Sequence, residues 1–215
     1  MIKAFIFDLD GVLVDTAKYH FRAWKALANE IGIDFTEKEN EQLKGISRKE
    51  SLELILGWAK LSISEDRKLE LMEMKNTWYL QFVENMDASE LLKGVREFLA
   101  QSKSLGLKIA LGSASKNAIP ILEKTDILTF FDAIVDGNHT TKSKPDPQVF
   151  LMGAELLEVK PEEAVVFEDS LAGVQAAKTG GFTAIGIGSE KVLTQADIVY
   201  KGISEIDPKS LLKDF

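Results

Sequence analysis

Apolar residues in this chain follow two patterns. Towards both ends they form short continuous runs, whereas between about residues 16 and 85 they recur every third or fourth position. The runs Lys3–Phe7, Leu107–Leu111, Ala133–Val135, Ala164–Phe167 and Thr183–Ile187 put apolar side chains on both sides of an extended backbone, which predicts strands buried on both faces. Helical spacing separates them over Val95–Ser104, Asn117–Lys124, Pro147–Leu157 and Leu171–Thr179. Gly106, Gly180 and Gly181 stand where helices should stop, and Pro120 suits a first turn. Asp146 and Pro147 together read as a cap and first helical position. Buried strands alternating with helices predict a parallel sheet covered on both sides.

The second pattern is strand-poor. His20, Ala23, Trp24, Leu27 and Ile31 share one helical face, as do Leu52, Ile55, Leu56 and Ala59, and Leu69 through Phe82 continue the theme. The first strand belongs with the later ones, so the chain leaves the sheet after Asp15 and returns near Leu91–Gly94. The expected fold class is α/β: a doubly wound, Rossmann-like parallel sheet core (residues 1–15 and 87–215) with an inserted helical-bundle cap (residues 16–86).

Composition narrows the chemistry. A length of 215 residues with 45% apolar and 28% charged positions suits a core domain plus a smaller insert. The net charge of −8, with no basic block, argues against nucleic acid as a partner. With no cysteine, disulfides, zinc thiolates and thiol nucleophiles are excluded. No segment approaches the ~20 apolar residues of a bilayer span, and the apolar start runs straight into acidic residues rather than a cleavage site. A cytoplasmic protein without membrane partners, acting as a monomer, is expected.

In open parallel sheets ligands sit beyond the carboxyl ends of the strands. Asp8 and Asp10 follow the first run, two residues apart, and therefore leave an extended chain on the same side. Gly11 lets the backbone turn beside them. Two carboxylates this close need a cation, a proton or divided roles. The same rim carries Gly112–Asn117 after the second run, Lys142–Asp146 before the third helix, and Glu168, Asp169 and Ser170 after the fourth run.

The ordered set Asp8-Leu9-Asp10-Gly11-Val12, Ser113, Lys144-Pro145 and Glu168-Asp169 resembles the four motifs of the haloacid dehalogenase superfamily of phosphotransferases. Within it, the segments Thr16–Leu27, Glu41–Arg48, Lys75-Asn76 and Ser113–Asn117 are similar to the β-phosphoglucomutase family, over nearly the whole chain. The resemblance implies interconversion of β-glucose 1-phosphate and glucose 6-phosphate, with one Mg²⁺ per chain and glucose 1,6-bisphosphate as the priming intermediate. It implies Asp8 as nucleophile, Asp10 as acid–base, and Ser113 and Lys144 as partners of the phosphoryl group. Metal ligation falls to Asp8, the Asp10 carbonyl, Asp169 and, in or near the coordination shell, Glu168, since hard Mg²⁺ prefers oxygen.

Sugar-phosphate binding is carried over to Thr16, His20, Trp24, Lys44, Gly45, Ile46, Ser47, Arg48, Ser51, Lys75, Ala114, Ser115, Lys116 and Asn117. Arg48, a planar fork, suits a second phosphate. Trp24, Trp58 and Trp78 read first as packing residues, although Trp24 falls at the family's cap position. The polar stretch Asp136–Thr141 departs from the more apolar family segment before the lysine. A Mg²⁺-dependent sugar-phosphate phosphatase built on the same residues is the alternative reading, and a non-catalytic sugar-phosphate sensor is a third.

Overall fold

The computed structural model describes residues 1–214. Its elements run β1 (Ala4–Phe7), α1 (Ala17–Glu30), α2 (Glu37–Glu41), α3 (Arg48–Trp58), α4 (Glu65–Glu84), α5 (Val95–Ser104), β2 (Lys108–Gly112), α6 (Ala118–Lys124), β3 (Ala133–Val135), α7 (Gln148–Leu156), β4 (Ala164–Glu168), α8 (Leu171–Thr179), β5 (Thr183–Ile187), β6 (Ile198–Tyr200) and α9 (Pro208–Asp214). All strand pairs are parallel, in the order β3-β2-β1-β4-β5-β6. That is the doubly wound order, in which connections diverge on either side of β1 and open a crevice between β1 and β4.

Side-chain alternation along each strand builds two cores. Phe5, Phe7, Ile109, Leu111, Val165 and Phe167 face one layer, closed by Phe98 and Leu99 of α5, Ile121 of α6 and Leu211 of α9. Ile6, Ala110, Val166 and Ala184 face the other, closed by Phe150 of α7 and Val174 of α8. Phe7 stacks on Phe167 with ring centroids 4.7 Å apart, so the two strands that carry the acidic residues are clamped just beneath them. Each such ring contributes about 1.5–3 kcal/mol by leaving water.

The inserted helices α1–α4 bury a third cluster built on Trp24, Leu27, Phe35, Leu52, Ile55, Leu56 and Leu71. Ser47 caps α3 through a reciprocal pair with Glu50, which fixes Arg48 at the first helical position. The two connections between cap and sheet run side by side: Val14 bridges Leu91, and Asp15 N–H donates to the Glu90 carbonyl at 2.9 Å. The Glu90 carboxylate receives the Tyr19 hydroxyl at 2.5 Å and pairs with Lys18 at 2.7 Å. No helix among the described residues is long and apolar enough to cross a membrane.

Most element ends fall within a residue or so of the expected bounds, and two differences stand out. α7 starts at Gln148 rather than Pro147, with Pro147 at the cap position and the Asp146 carboxylate accepting from Gln148 N–H at 3.0 Å. Strand β6 was not expected: it is three residues long at the sheet edge, and no helix separates it from β5, so the alternation of strands and helices does not mark it.

Candidate active site

The carboxyl ends of β1, β2 and β4 bring the rim together. Asp8 N–H donates to the Phe167 carbonyl at 2.9 Å, which continues the β1–β4 ladder one step past β1 and buries the Asp8 carboxylate. Gly11 has φ +83°, and a Cβ there would lie 2.3 Å from Asp169 Oδ2. Only glycine allows this turn to pass so close to the second acidic strand end.

Lys144 reaches this crevice from the loop before α7. Its Nζ lies 2.5 Å from Asp8 Oδ1 and 2.8 Å from Glu168 Oε2, over the Phe150 ring. Burial pulls the Lys144 ammonium towards neutrality, but Asp8 and Glu168 outweigh that and hold its pKa above the ordinary value. The other Glu168 oxygen accepts from Asp169 N–H, Ser170 N–H and the Ser170 hydroxyl. Glu168 is therefore committed on both oxygens, whereas Asp8 and Asp169 keep free lone pairs facing the crevice.

Oxygen atoms of Asp8, Glu168 and Asp169 lie within 4.8 Å of one another. Burial is the main cause that raises the Asp8 pKa well above the ordinary carboxylate range; Lys144 opposes it, and Glu168, Asp10 and Asp169 reinforce it. Asp169 rises to about 7, again by burial first and then by Glu168, with Lys44 opposing. These shifts mark a site short of positive charge. The donors are all oxygen, so the residues fit a hard divalent cation such as Mg²⁺. Asp8, Asp169 and the Asp10 carbonyl could hold it, with Glu168 fixing the orientation of Lys144 and of the Asp169 backbone.

Asp10 turns the other way, towards the cap. The Thr16 hydroxyl donates to its carboxylate, and His20 Nε2 stands 3.6 Å away. Burial raises the Asp10 pKa, partly offset by Thr16 and then by Lys75. Lys75 Nζ lies 3.1 Å from His20 Nδ1. The charged ammonium can only donate, so with Lys75 protonated Nδ1 accepts and the imidazole proton sits on Nε2, facing Asp10. Burial, then the charges of Lys75 and Arg48, hold the His20 pKa well below its ordinary value, so the ring is neutral. His20 Nε2 and the Tyr79 hydroxyl are buried without hydrogen-bond partners. Buried polar atoms left unpaired on one side of a crevice are a cost to the fold that a polar ligand would relieve.

The remaining expected residues fall around this pocket in three groups. Ser113 is fully buried, its hydroxyl accepting from Ser115 N–H, and the Ser115 hydroxyl accepts in turn from Asn117 N–H. This tight turn holds Ala114, Ser115, Lys116 and Asn117 at the end of β2. Lys44 crosses from the cap to Asp169 at 3.3 Å, and Gly45, at φ +76°, sits where a Cβ would come 2.4 Å from Ser170 Oγ. The cap therefore rests directly on the sheet rim. Trp24 and Ile46 pack into the cap core, Ser47 serves as a helix cap, and the Ser51 hydroxyl donates to the Ser47 carbonyl.

The unusual Asp136–Thr141 stretch folds on itself. Buried Asp136 pairs with His139 at 2.8 Å, and Asn138 Nδ2 donates to the Lys116 carbonyl. Lys144 still reaches Asp8 and Glu168. Sequence reasoning gave no role to Tyr79, hidden in the apolar stripe of α4, or to Ser170, whose hydroxyl braces Glu168.

Residues 2–181 match the haloacid dehalogenase-like hydrolase family. The chain is 44% identical over 207 residues to a β-phosphoglucomutase of Bacillus subtilis, covering 95% of this chain and 92% of the relative. It is 36% identical over 190 residues to a phosphorylated carbohydrates phosphatase of Thermotoga maritima, covering 86% and 84% of the two chains. The crystal structure of a β-phosphoglucomutase from Clostridium difficile superposes with a TM-score of 0.96 at 40% identity, covering 99% of this chain and 96% of the other. Together with the Asp8, Ser113, Lys144 and Asp169 rim, these likenesses show that the chain belongs to the haloacid dehalogenase-like hydrolase family.

Proposed function

We propose that this protein is a Mg²⁺-dependent β-phosphoglucomutase that interconverts β-glucose 1-phosphate and glucose 6-phosphate, acting as a cytoplasmic monomer whose residues 16–86 close as a cap. One observation carries the choice of mutase over hydrolase. Of the cap cations around the pocket, Lys44 pairs with Glu41 and Asp169, whereas Arg48 and Lys75 have no carboxylate within salt-bridge distance among the described residues. Burial, and then Arg48, bring the Lys75 pKa down to about 7, a cost the fold would shed if no anion were to be met there. Hydrolysis of a monophosphate needs one phosphate site, beside Asp8. A bisphosphate that must present either end needs a second, and unpaired cap cations supply it.

The roles follow from position. When bound, Mg²⁺ neutralises the crowded carboxylates and withdraws charge from the phosphoryl group. An Asp8 oxygen attacks phosphorus of glucose 1,6-bisphosphate, the phosphorus–sugar oxygen bond breaks, and Asp10 gives its proton to the departing oxygen. The sugar monophosphate leaves, and β-glucose 1-phosphate binds with its 6-hydroxyl at phospho-Asp8; that hydroxyl loses a proton to Asp10 as it attacks the phosphorus, and the Asp8 carboxylate leaves. The bisphosphate formed turns over to present its 1-phosphate to Asp8, whose attack restores phospho-Asp8 and releases glucose 6-phosphate. Lys144 and the Ser113 turn hold the phosphoryl oxygens throughout. Thr16 and neutral His20 keep Asp10 aimed at the sugar, while Lys44 and Gly45, seated on the rim, keep water away from phospho-Asp8.

A coupled assay with β-glucose 1-phosphate, primed with glucose 1,6-bisphosphate, tests this reading. Glucose 6-phosphate should appear much faster than inorganic phosphate. Phosphate release that matches or exceeds glucose 6-phosphate formation would favour the phosphatase reading instead.

A further inference from the structure

Asn76 follows Lys75 on α4 and has no role in the chemistry described so far. Its side-chain oxygen accepts from the Arg48 guanidinium at 2.7 Å and from Asn117 Nδ2 at 3.0 Å. Arg48 opens α3 in the cap, whereas Asn117 precedes α6 on the sheet side. An amide oxygen offers two lone pairs, and both are in use. The arrangement thus ties together three side chains from separate elements, and one of its two bonds crosses from cap to sheet.

We propose that Asn76 is the positioning residue of the second phosphate site. It aims the Arg48 fork and the Asn117 amide at the same phosphate, and the Asn76–Asn117 bond forms only when the cap rests on the rim. This inference rests on the mutase reading and adds to it a residue through which closure and second-phosphate binding are coupled.

The chemistry explains the choice of side chain. Arg48 is half-buried, with several rotatable bonds, and no carboxylate holds it. Left free, it would lose that mobility only on meeting the phosphate, which weakens binding. A carboxylate at position 76 would order the fork but cancel its charge. A neutral amide oxygen orders it and leaves the full positive charge for the ligand. The contact to Asn117 then draws the backbone turn at the end of β2, with Ser115 and Lys116, to the same point.

The test is steady-state kinetics with glucose 1,6-bisphosphate as the varied primer, run on the full-length wild type, Asn76→Ala, Asn76→Asp, Asn117→Ala and the Asn76→Ala/Asn117→Ala pair. For Asn76→Ala the primer KM should rise about 5- to 20-fold, the scale of one or two modest hydrogen bonds. Its kcat at saturating primer should change less than about 2-fold, the signature of lost binding rather than lost chemistry. Asn76→Asp keeps the size and both acceptors, so it carries the test if the alanine variant does not fold. Its KM should rise at least as much, because Arg48 is neutralised. The two alanine substitutions should combine to less than the product of their separate effects, by about 3-fold or more, as expected of residues in contact.

An unchanged primer KM in Asn76→Asp, or strictly multiplicative alanine effects, would overturn the proposal. So would a fall in kcat and melting temperature with KM unmoved, which is what a merely structural asparagine would give. A wild type that fails to isomerise the primed substrate removes the mutase reading itself. A wild type that isomerises beside an unaffected Asn76→Asp variant removes only the role of Asn76.

Discussion

Replacing Lys75 by methionine should make the protein more stable and less able to bind its substrate, with a gain that depends on pH. The Lys75 side chain is only 2% exposed, packed against the rings of Trp24 and Tyr79 at 4.9 and 4.6 Å, with Nζ on His20. Burial, then Arg48, lower its pKa from 10.5 to about 7, and Asp10 restores only part of the loss. The unfolded chain keeps the ordinary value, so between pH 7 and 10.5 it binds more protons than the native state, and wild-type stability rises with pH across that window. Below the folded pKa the penalty is present in full. At 1.36 kcal/mol per pKa unit it is about 5 kcal/mol at pH 6 and about 2 kcal/mol at pH 9. The two ring contacts return about 1–2 kcal/mol of this while the amine is charged, at pH 6 but not at pH 9. Methionine fills the lysine stem's place without a charge, so Lys75→Met should be about 3 kcal/mol more stable at pH 6, about 2 kcal/mol more stable at pH 9, and nearly equal to wild type by pH 10.5. Urea unfolding followed by far-ultraviolet circular dichroism, with chelator and no sugar phosphate, measures the gain at each pH. Equal stability of the two proteins at pH 6, or a gain of the same size at pH 6 and pH 10.5, would mean that the buried Lys75 charge does not burden the fold.

Two further substitutions separate the roles of the rim. Asp10→Asn should retain the fold but lower kcat about 10²- to 10⁴-fold, the scale of general acid–base catalysis, and near wild-type turnover in the primed assay would remove Asp10 from that role. Lys144→Met strips Asp8 and Glu168 of their common cation. In chelator it should cost about 3 kcal/mol or more in urea unfolding, with part of the loss recovered on adding Mg²⁺; a fully stable apo variant would show that the pair matters little to the fold.

The sheet was legible because its strands are apolar on both faces and bounded by turns, and β1, β3 and β5 lie within or at the predicted runs. The acidic rim was legible for a related reason. Polar residues placed directly after buried strands have few other places to go, and the doubly wound order sends them to one crevice. What the sequence hid depends on contacts between distant segments. The Asn76 oxygen gains its meaning from Arg48 and Asn117, 28 and 41 residues away in the chain. Tyr79 reads as one more apolar position of α4, and only the packed structure shows its hydroxyl buried without a partner beside the cap pocket. Likewise, the sequence leaves Glu168 in or near the coordination shell beside Asp169. The structure separates them, because Ser170 and Lys144 occupy Glu168 from both sides.

The central claim is that phospho-Asp8 passes its phosphoryl group to a sugar hydroxyl rather than to water. Its most direct test is a single-turnover chase: enzyme labelled with radioactive phosphate from glucose 1,6-bisphosphate is mixed with unlabelled β-glucose 1-phosphate in Mg²⁺, and products are separated within the first turnover. The label should move into glucose 1,6-bisphosphate and glucose 6-phosphate, and Asp8→Asn should take up none. Label recovered as inorganic phosphate, or retained covalently by Asp8→Asn, would contradict the claim.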